Sequence, residues 1–237
     1  MLGIIFEPTC SGCYKPIEYK NNGILCPDCY EKLESLQIDE PTCIGCATPL
    51  HPSVKTKRCV ACLIKPYIFK EATSYYSYDG VVQILINQWK NLPKEGMSTF
   101  FERLFIDSIL KRPPKIRLKS LVVPIPSHPK RFKERHFDPA WKLSKAASKA
   151  LDTRLIPALL RIKHTNHQTG LTLSQRARNI SGAFSISPKW EHHISGKFVH
   201  IVDDVFTTGA TLNEATKTLL RANPTLISVI TLTRTIR

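Results

Sequence analysis

The sequence predicts an α/β protein: a parallel sheet covered by helices on both faces, preceded by a small cysteine-rich, metal-binding module. Three observations predict it. All eight cysteines fall in four CxxC pairs between residues 10 and 62. Two short apolar runs, Leu121–Pro126 and Phe198–Val202, do not alternate with polar residues, so they read as strands buried on both faces. Each is followed by a polar loop and then a helical pattern, the order of a β–loop–α unit. Of 237 residues, 42% are hydrophobic and 22% charged, enough for a real core and unlike a disordered or fibrous chain. No apolar run reaches the roughly 18 residues of a spanning helix. The start, Met1-Leu2-Gly3-Ile4-Ile5-Phe6-Glu7, has no basic residue ahead of its apolar stretch, so no secretory leader, no membrane insertion and a cytoplasmic location are expected.

The cysteine pairs are Cys10/Cys13, Cys26/Cys29, Cys43/Cys46 and Cys59/Cys62, separated by twelve, thirteen and twelve residues. A CxxC turn presents two thiolates on one side of a loop, and two such turns make a tetrahedral S4 cage. Disulfides would need an oxidising compartment, and a redox CxxC normally stands alone. Iron can also occupy an S4 cage, but zinc is the expected ion, in one or two structural sites. Sequential pairing groups Cys10, Cys13, Cys26 and Cys29, then Cys43, Cys46, Cys59 and Cys62. Interleaved pairing would join the first pair to the third. Four protein ligands leave no open position, so the metal's role is structural, in a segment too small to hold itself together by its core.

Composition changes after Leu63-Ile64-Lys65-Pro66-Tyr67, which divides the chain into residues 1–66 and 67–237. Phe69–Tyr78 is aromatic and strand-like. Val81–Trp89 and Thr99–Leu110 have helical periodicity. Between Lys111 and Arg135 there are nine Lys/Arg and one acid, Glu134. Trp141–Leu151 is an Ala-rich helix, Leu212–Ala222 another, stopped by Asn223-Pro224, and Leu226–Leu232 a third strand. Charge is unevenly spread. Residues 1–67 carry seven Lys/Arg and seven Asp/Glu, residues 68–120 nine and five, and residues 121–237 eighteen and seven. An excess of this size in the C-terminal two-thirds fits a polyanionic partner, either nucleic acid or a phosphate-rich small molecule. A solvated basic surface is the alternative. Two filled cages would make the cysteine module net negative, so it is a poor phosphate binder.

The strand ending at Val202 runs into Asp203-Asp204, then Val205-Phe206-Thr207-Thr208-Gly209-Ala210-Thr211. Thr207 to Thr211 open a helix, where backbone N–H groups lack partners and the dipole favours an anion. Threonine hydroxyls add donors and Gly209 lets the backbone come close, which makes a cup for one phosphate. No GK[ST] follows, so this is not a Walker A loop. Two carboxylates would repel a phosphate but can accept hydrogen bonds from two vicinal hydroxyls. The alternative is that Asp203 and Asp204 merely cap a core strand. The cluster Ser127-His128-Pro129-Lys130-Arg131-Phe132-Lys133-Glu134-Arg135 follows the other strand at its carboxyl end, where open α/β sheets bind ligands.

"VHIVDDVFTTGAT" (199–211) resembles the motif by which type I phosphoribosyltransferases bind PRPP, ribose 5-phosphate carrying a pyrophosphate at carbon 1. The resemblance implies a phosphoribosyltransferase-like (Rossmann-like) sheet domain. It implies that Asp203 and Asp204 hold the ribose hydroxyls and that Thr207, Thr208, Gly209, Ala210 and Thr211 cradle the 5′-phosphate. It also implies that Lys130, Arg131 and Arg135 meet the diphosphate with Mg2+. The whole chain is similar to the ComF (ComFC) family of bacterial DNA-uptake proteins. "YSYDG" (76–80), Lys90, "VPIPSHPKRFKER" (123–135) and "HQTGLTLSQRARNISGAF" (167–184) match, including Gln168, Leu171, Arg176, Asn179 and Phe184. Where the family has Arg-Gly-Phe-Asn, this chain has Arg135-His136-Phe137-Asp138. His limits the backbone there, and Asp138 brings a negative charge near the diphosphate.

The family likeness implies a PRPP-binding protein that handles single-stranded DNA during natural transformation. Phe132, Phe137 and Trp141 would lie on the nucleic acid, and the metal module would dock a partner such as a DNA-uptake helicase or channel protein. The alternative is an active phosphoribosyltransferase displacing pyrophosphate through an oxocarbenium-like transition state that Asp203 and Asp204 favour, with residues 163–180 as a lid. His164 and His167 are candidate bases for it. No feature names an acceptor, so the sequence leaves turnover open. A zinc-module nucleic-acid binder is a third, weaker alternative.

Overall fold

In a computed structural model, residues 8–17, 24–91, 96–114, 120–163 and 173–236 are described. The cysteine-rich part holds α1 (Pro27–Glu34) and α2 (Val60–Ile64). The rest runs β1 (Glu71–Ser77), α3 (Gly80–Asn91), α4 (Met97–Lys111), β2 (Ser120–Pro124), α5 (Pro129–Arg135), α6 (Pro139–Ala150), β3 (Arg154–Leu155), β4 (Leu159–Arg161), α7 (Leu173–Ile180), β5 (Phe184–Ile186), α8 (Glu191–Ile194), β6 (Phe198–Phe206), α9 (Ala210–Leu219) with a 3-10 turn at Leu220–Ala222, and β7 (Leu226–Arg234). The strands β1-β7-β6-β2-β3 form one sheet in that order, every pairing parallel. The short strands β4 and β5 pair antiparallel beside it. The predicted α/β class with its cysteine-rich forepart is the one observed.

Side chains alternate across a strand, and the core divides accordingly. Leu121, Val123, Val199, Ile201, Ile227 and Val229 point to one face, packed with Leu212, Ala215 and Leu219 of α9. Val122, Val202, Ile230 and Leu232 point to the other, packed with α3, α4 and α6 through residues such as Leu85, Trp89, Phe101 and Leu143. Each core also takes in part of the cysteine module. Cys43, Cys46, Ala47 and Cys62 join the α9 face, while Cys10, Leu25, Cys29 and Leu33 join the α3 face. The composition change near residue 66 is thus crossed by buried contacts on both sides of the sheet.

Several boundaries differ from the sequence reading. The strand expected to end at Val202 continues to Phe206, because β7 offers partners as far as Arg234. The following helix starts at Ala210, two residues early, because Gly209 at φ +76° closes the turn before it. The helix expected from Trp141 starts at Pro139, a residue whose missing N–H and fixed φ suit a first helical turn. Among the described residues no helix is long and apolar enough to cross a membrane.

Candidate ligand cavity and metal centres

The two metal centres are built from one local design, repeated with an offset of 33 residues. In each, the residue after the second cysteine takes a left-handed conformation, Tyr14 at φ +63° and Ala47 at φ +56°. Its N–H returns to the first cysteine's carbonyl, Tyr14 to Cys10 and Ala47 to Cys43, both at 2.7 Å. A knuckle glycine is required in both. A Cβ on Gly12 would lie 2.8 Å from Cys29 Sγ, and one on Gly45 would lie 3.1 Å from Cys62 Sγ. The N–H of the third cysteine donates to the first sulfur, Cys26 to Cys10 and Cys59 to Cys43, each at 3.2 Å.

The grouping is sequential. Cys10, Cys13, Cys26 and Cys29 have sulfurs within 4.8 Å of one another, and so do Cys43, Cys46, Cys59 and Cys62. The Cys13–Cys26 and Cys46–Cys59 separations are 3.7 Å, which fits sulfurs about 2.3 Å from a shared tetrahedral ion. Bonding from Cys46 and from backbone amides lowers the Cys43 thiol, while the same bond raises Cys46 and burial raises Cys29 and Cys62, so a cation binding here displaces thiol protons. Both sets therefore suit Zn2+ held structurally.

A cavity of about 660 Å³ lies at the carboxyl ends of β2 and β6, where the site was expected. Asp203, Asp204, Thr207 and Thr211 line it together with Arg131 and Arg135 of α5. Thr208, Gly209 and Ala210 shape the turn behind. The Thr208 carbonyl accepts from the Tyr67 hydroxyl at 3.1 Å, and Asn213 Oδ1 accepts from the Ile68 N–H at 2.9 Å. A Cβ on Gly209 would fall 2.4 Å from the Tyr67 ring. Lys130 is exposed and does not line the cavity; its N–H turns to His128 Nδ1.

The two acids differ. Asp204 pairs with Lys90 at 2.8 Å. Asp203 accepts the Asp204 N–H at 2.9 Å, and burial together with the Asp204 charge pushes its carboxyl up to about 8. Asp138 sits deeper. It caps α6 by accepting from Ala140 and Trp141 and ties in the β2 loop by accepting from Ser127 at 2.8 Å. An aspartate does here what an asparagine can do, and its oxygens are spent on backbone donors. Burial raises it. His136, where the family has glycine, does adopt φ +59° at the end of α5.

Sequence reasoning did not single out Arg161, Gln83, Asn87 or Tyr67. Arg161 comes from β4, stacks over Phe184 at 5.6 Å and faces the cavity beside Arg131. Burial and then the Arg131 charge lower it, while burial and then Arg135 lower Arg131, so three guanidiniums share one wall. Lys90 had only its family match. A lysine in the last turn of an amphipathic helix carries no other signal. Of the aromatics expected on nucleic acid, Phe132 and Trp141 are exposed, but Phe137 packs on Trp89 at 5.7 Å and belongs to the core. His164, His167, Gln168 and Leu171 lie outside the described residues, as does the 164–172 part of the expected lid.

Comparison with known proteins follows these features. Residues 1–63 match the double zinc ribbon domain. The chain is 29% identical to Competence protein F of Haemophilus influenzae over 232 residues, covering 97% of this chain and 98% of that protein. It is 28% identical to the DNA utilization protein YhgH of Salmonella typhimurium, covering 96% and 90%. Among solved structures, the glutamine phosphoribosylpyrophosphate amidotransferase of B. subtilis aligns at TM-score 0.40 and 14% identity, over 60% of this chain and 30% of that one. The parallel α/β assignment stands on the strand order itself. Over nearly its whole length, then, this chain is similar to proteins named Competence protein F and DNA utilization protein YhgH, and its forepart is a double zinc ribbon.

Proposed function

We propose that the protein binds PRPP with Mg2+ in the cavity at the β6 tip and handles single-stranded DNA during DNA uptake. One observation carries the first half. Two carboxylates at a strand tip, Thr207 and Thr211 of the turn that opens α9, and the guanidiniums of Arg131, Arg135 and Arg161 all line a single cavity. A sugar carrying phosphate at both ends calls for that set of groups: hydroxyl acceptors, an amide cup for one phosphate and cations for the other. Asp203 and Asp204 accept from the ribose hydroxyls, Thr207–Thr211 hold the 5′-phosphate, and Arg131, Arg135 and Arg161 meet the diphosphate. Mg2+ would be held mainly by substrate oxygens, as that ion prefers. The second half rests on the net +15 charge, its C-terminal concentration and the names of the relatives.

An enzymatic reading is favoured by Gln83 and Asn87, which line the same cavity with hydrogen-bonding groups a phosphate does not need. In it, an acceptor nitrogen bonds to carbon 1 as the carbon–pyrophosphate bond breaks, and the nitrogen's proton passes to solvent or a base. The test is a PRPP–Mg2+ titration, then single-stranded DNA binding with and without PRPP, in the native chain and in Asp203→Asn/Asp204→Asn. PRPP binding lost in the variant supports the site. DNA binding that survives there makes the two functions separable. Pyrophosphate release with a panel of bases supports the enzymatic reading.

A further inference from the structure

The repeat supplies its own control. Position for position, Pro27, Tyr30 and Glu31 of α1 correspond to Val60, Leu63 and Ile64 of α2. The two helices follow their third cysteine in the same way and bury their fourth, Cys29 and Cys62. On α1 the matching positions show Pro27, the half-exposed Tyr30 with its polar hydroxyl, and the charged Glu31, among Asp28, Lys32 and Glu34. The outward face of α2 instead carries Val60, Leu63 and Ile64, spaced i, i+3, i+4 and 71%, 55% and 79% exposed, with Ile68 48% exposed just beyond. Single exposed aliphatics are ordinary; a group of three on one short helix is not.

The segment that carries this face, bounded by Glu40 and Glu71, is basic, and it stays net positive when the two negative charges of a filled cage are included. Between residues 41 and 70 there are five Lys/Arg and no acid, with Lys55, Lys57, Lys65 and Lys70 exposed. Residues 8–40 carry three Lys/Arg and six Asp/Glu. We propose that the α2 face of the second ribbon docks an amphipathic helix of another protein, apolar on one side and flanked by Asp and Glu. A nucleic acid would use the lysines but has no need of three aliphatics. A helix with an apolar stripe between acidic edges satisfies both. The surface also has a route inward. Three residues after Ile64, Tyr67 holds the Thr208 carbonyl and lies against Gly209, so a docked partner touches the support of the phosphate turn.

The test uses the full, zinc-loaded chain and a labelled peptide of about 18 residues with leucines on one helical face and glutamates beside them. The comparison probes are the same peptide with lysines in place of glutamates and vesicles of phosphatidylglycerol. The acidic peptide is expected to saturate one site per chain. Ile64→Gln, or Lys57→Glu with Lys65→Glu, is expected to weaken it at least about tenfold, or about 1.4 kcal/mol. Glu31→Gln, the matching position in the first ribbon, is expected to leave it unchanged. Unaltered zinc content and melting temperature show that each variant is folded. Equal binding of the lysine peptide, or indifference to Ile64→Gln, overturns the proposal. So does Ile64-dependent vesicle binding or Ile64-dependent self-association in place of peptide binding, which assigns the face to a membrane or to a second copy. None of these outcomes touches PRPP binding.

Discussion

The two zinc ribbons share a skeleton and differ in what they hold. The first meets the α3 face: Gln88 donates to the Ser11 carbonyl at 2.7 Å and to the Tyr14 hydroxyl at 2.9 Å, and Gly12 abuts Val81. That helix carries Lys90, the partner of Asp204, and Asn87. The second meets the other face and, through Tyr67, the Thr208–Gly209 turn. Arg234 donates from Nε to the Thr48 hydroxyl at 2.8 Å and stacks on Phe206 at 4.4 Å, and the Thr48 hydroxyl lies 3.2 Å from Cys46 Sγ, where it can donate to the thiolate. Identical metal chemistry thus supports two different walls of one cavity. Zinc here serves as a staple whose effect depends on which part of the sheet domain it is fixed to.

Breaking one cage at a time tests this most severely. Cys62→Ser and Cys29→Ser should each remove one zinc per chain, since structural zinc sites contribute on the order of 10 kcal/mol to the fold of their segment. Cys62→Ser, which frees the turn itself, should weaken PRPP at least about a hundredfold. Cys29→Ser, which loosens only the helix bearing Lys90, should weaken it about tenfold. Metal analysis with calorimetric titration reads both, and equal losses would end the distinction. Next comes the junction. Gly209→Ala places a Cβ against the Tyr67 ring at a positive φ and should cost about 2–3 kcal/mol; Tyr67→Leu in the same chain should restore part of it.

The third prediction concerns pH. The Asp203 carboxyl is raised to about 8 in the fold, against about 3.9 in the unfolded chain. Between those values the native state holds a proton that the unfolded state releases, so this residue's effect on stability becomes less favourable as pH rises from about 4 to about 8. Asp203→Asn stays neutral, so its melting temperature should exceed the native one at pH 8 and above, and the difference should shrink toward pH 4. A gain that is the same at every pH would rule out the titration. The smallest effect is expected at His136. His136→Gly relieves a left-handed residue at the end of α5 and should stabilise by about 1 kcal/mol, read as a rise in unfolding midpoint.

What could be read in advance follows from how local the information is. Four CxxC pairs, two apolar runs and the Asp-Asp-x-x-Thr-Thr-Gly-x-Thr sequence are contiguous, so the cages, the central strands and the turn that opens α9 were visible. Lys90, Arg161 and Tyr67 come from three separate elements, and only the fold brings them to the β6 tip. A lone lysine or arginine at the end of an amphipathic segment looks like any solvated charge. Asp138 does line the cavity with Arg131 and Arg135, as its place in the sequence suggested, but its capping of α6 was not foreseen, because the helix was expected to start two residues later. Strand β6 was cut short because Asp203 and Asp204 interrupt its apolar run, while the partner that extends it lies about thirty residues ahead.

The central claim is that Asp203, Asp204 and the Thr207–Thr211 turn form one sugar-phosphate site. Calorimetric titration of the zinc-loaded chain with PRPP and Mg2+, beside Asp203→Asn/Asp204→Asn, tests it most directly. The account predicts saturation at one PRPP per native chain and none in the variant. No heat in the native chain, or equal affinity in both, would contradict it.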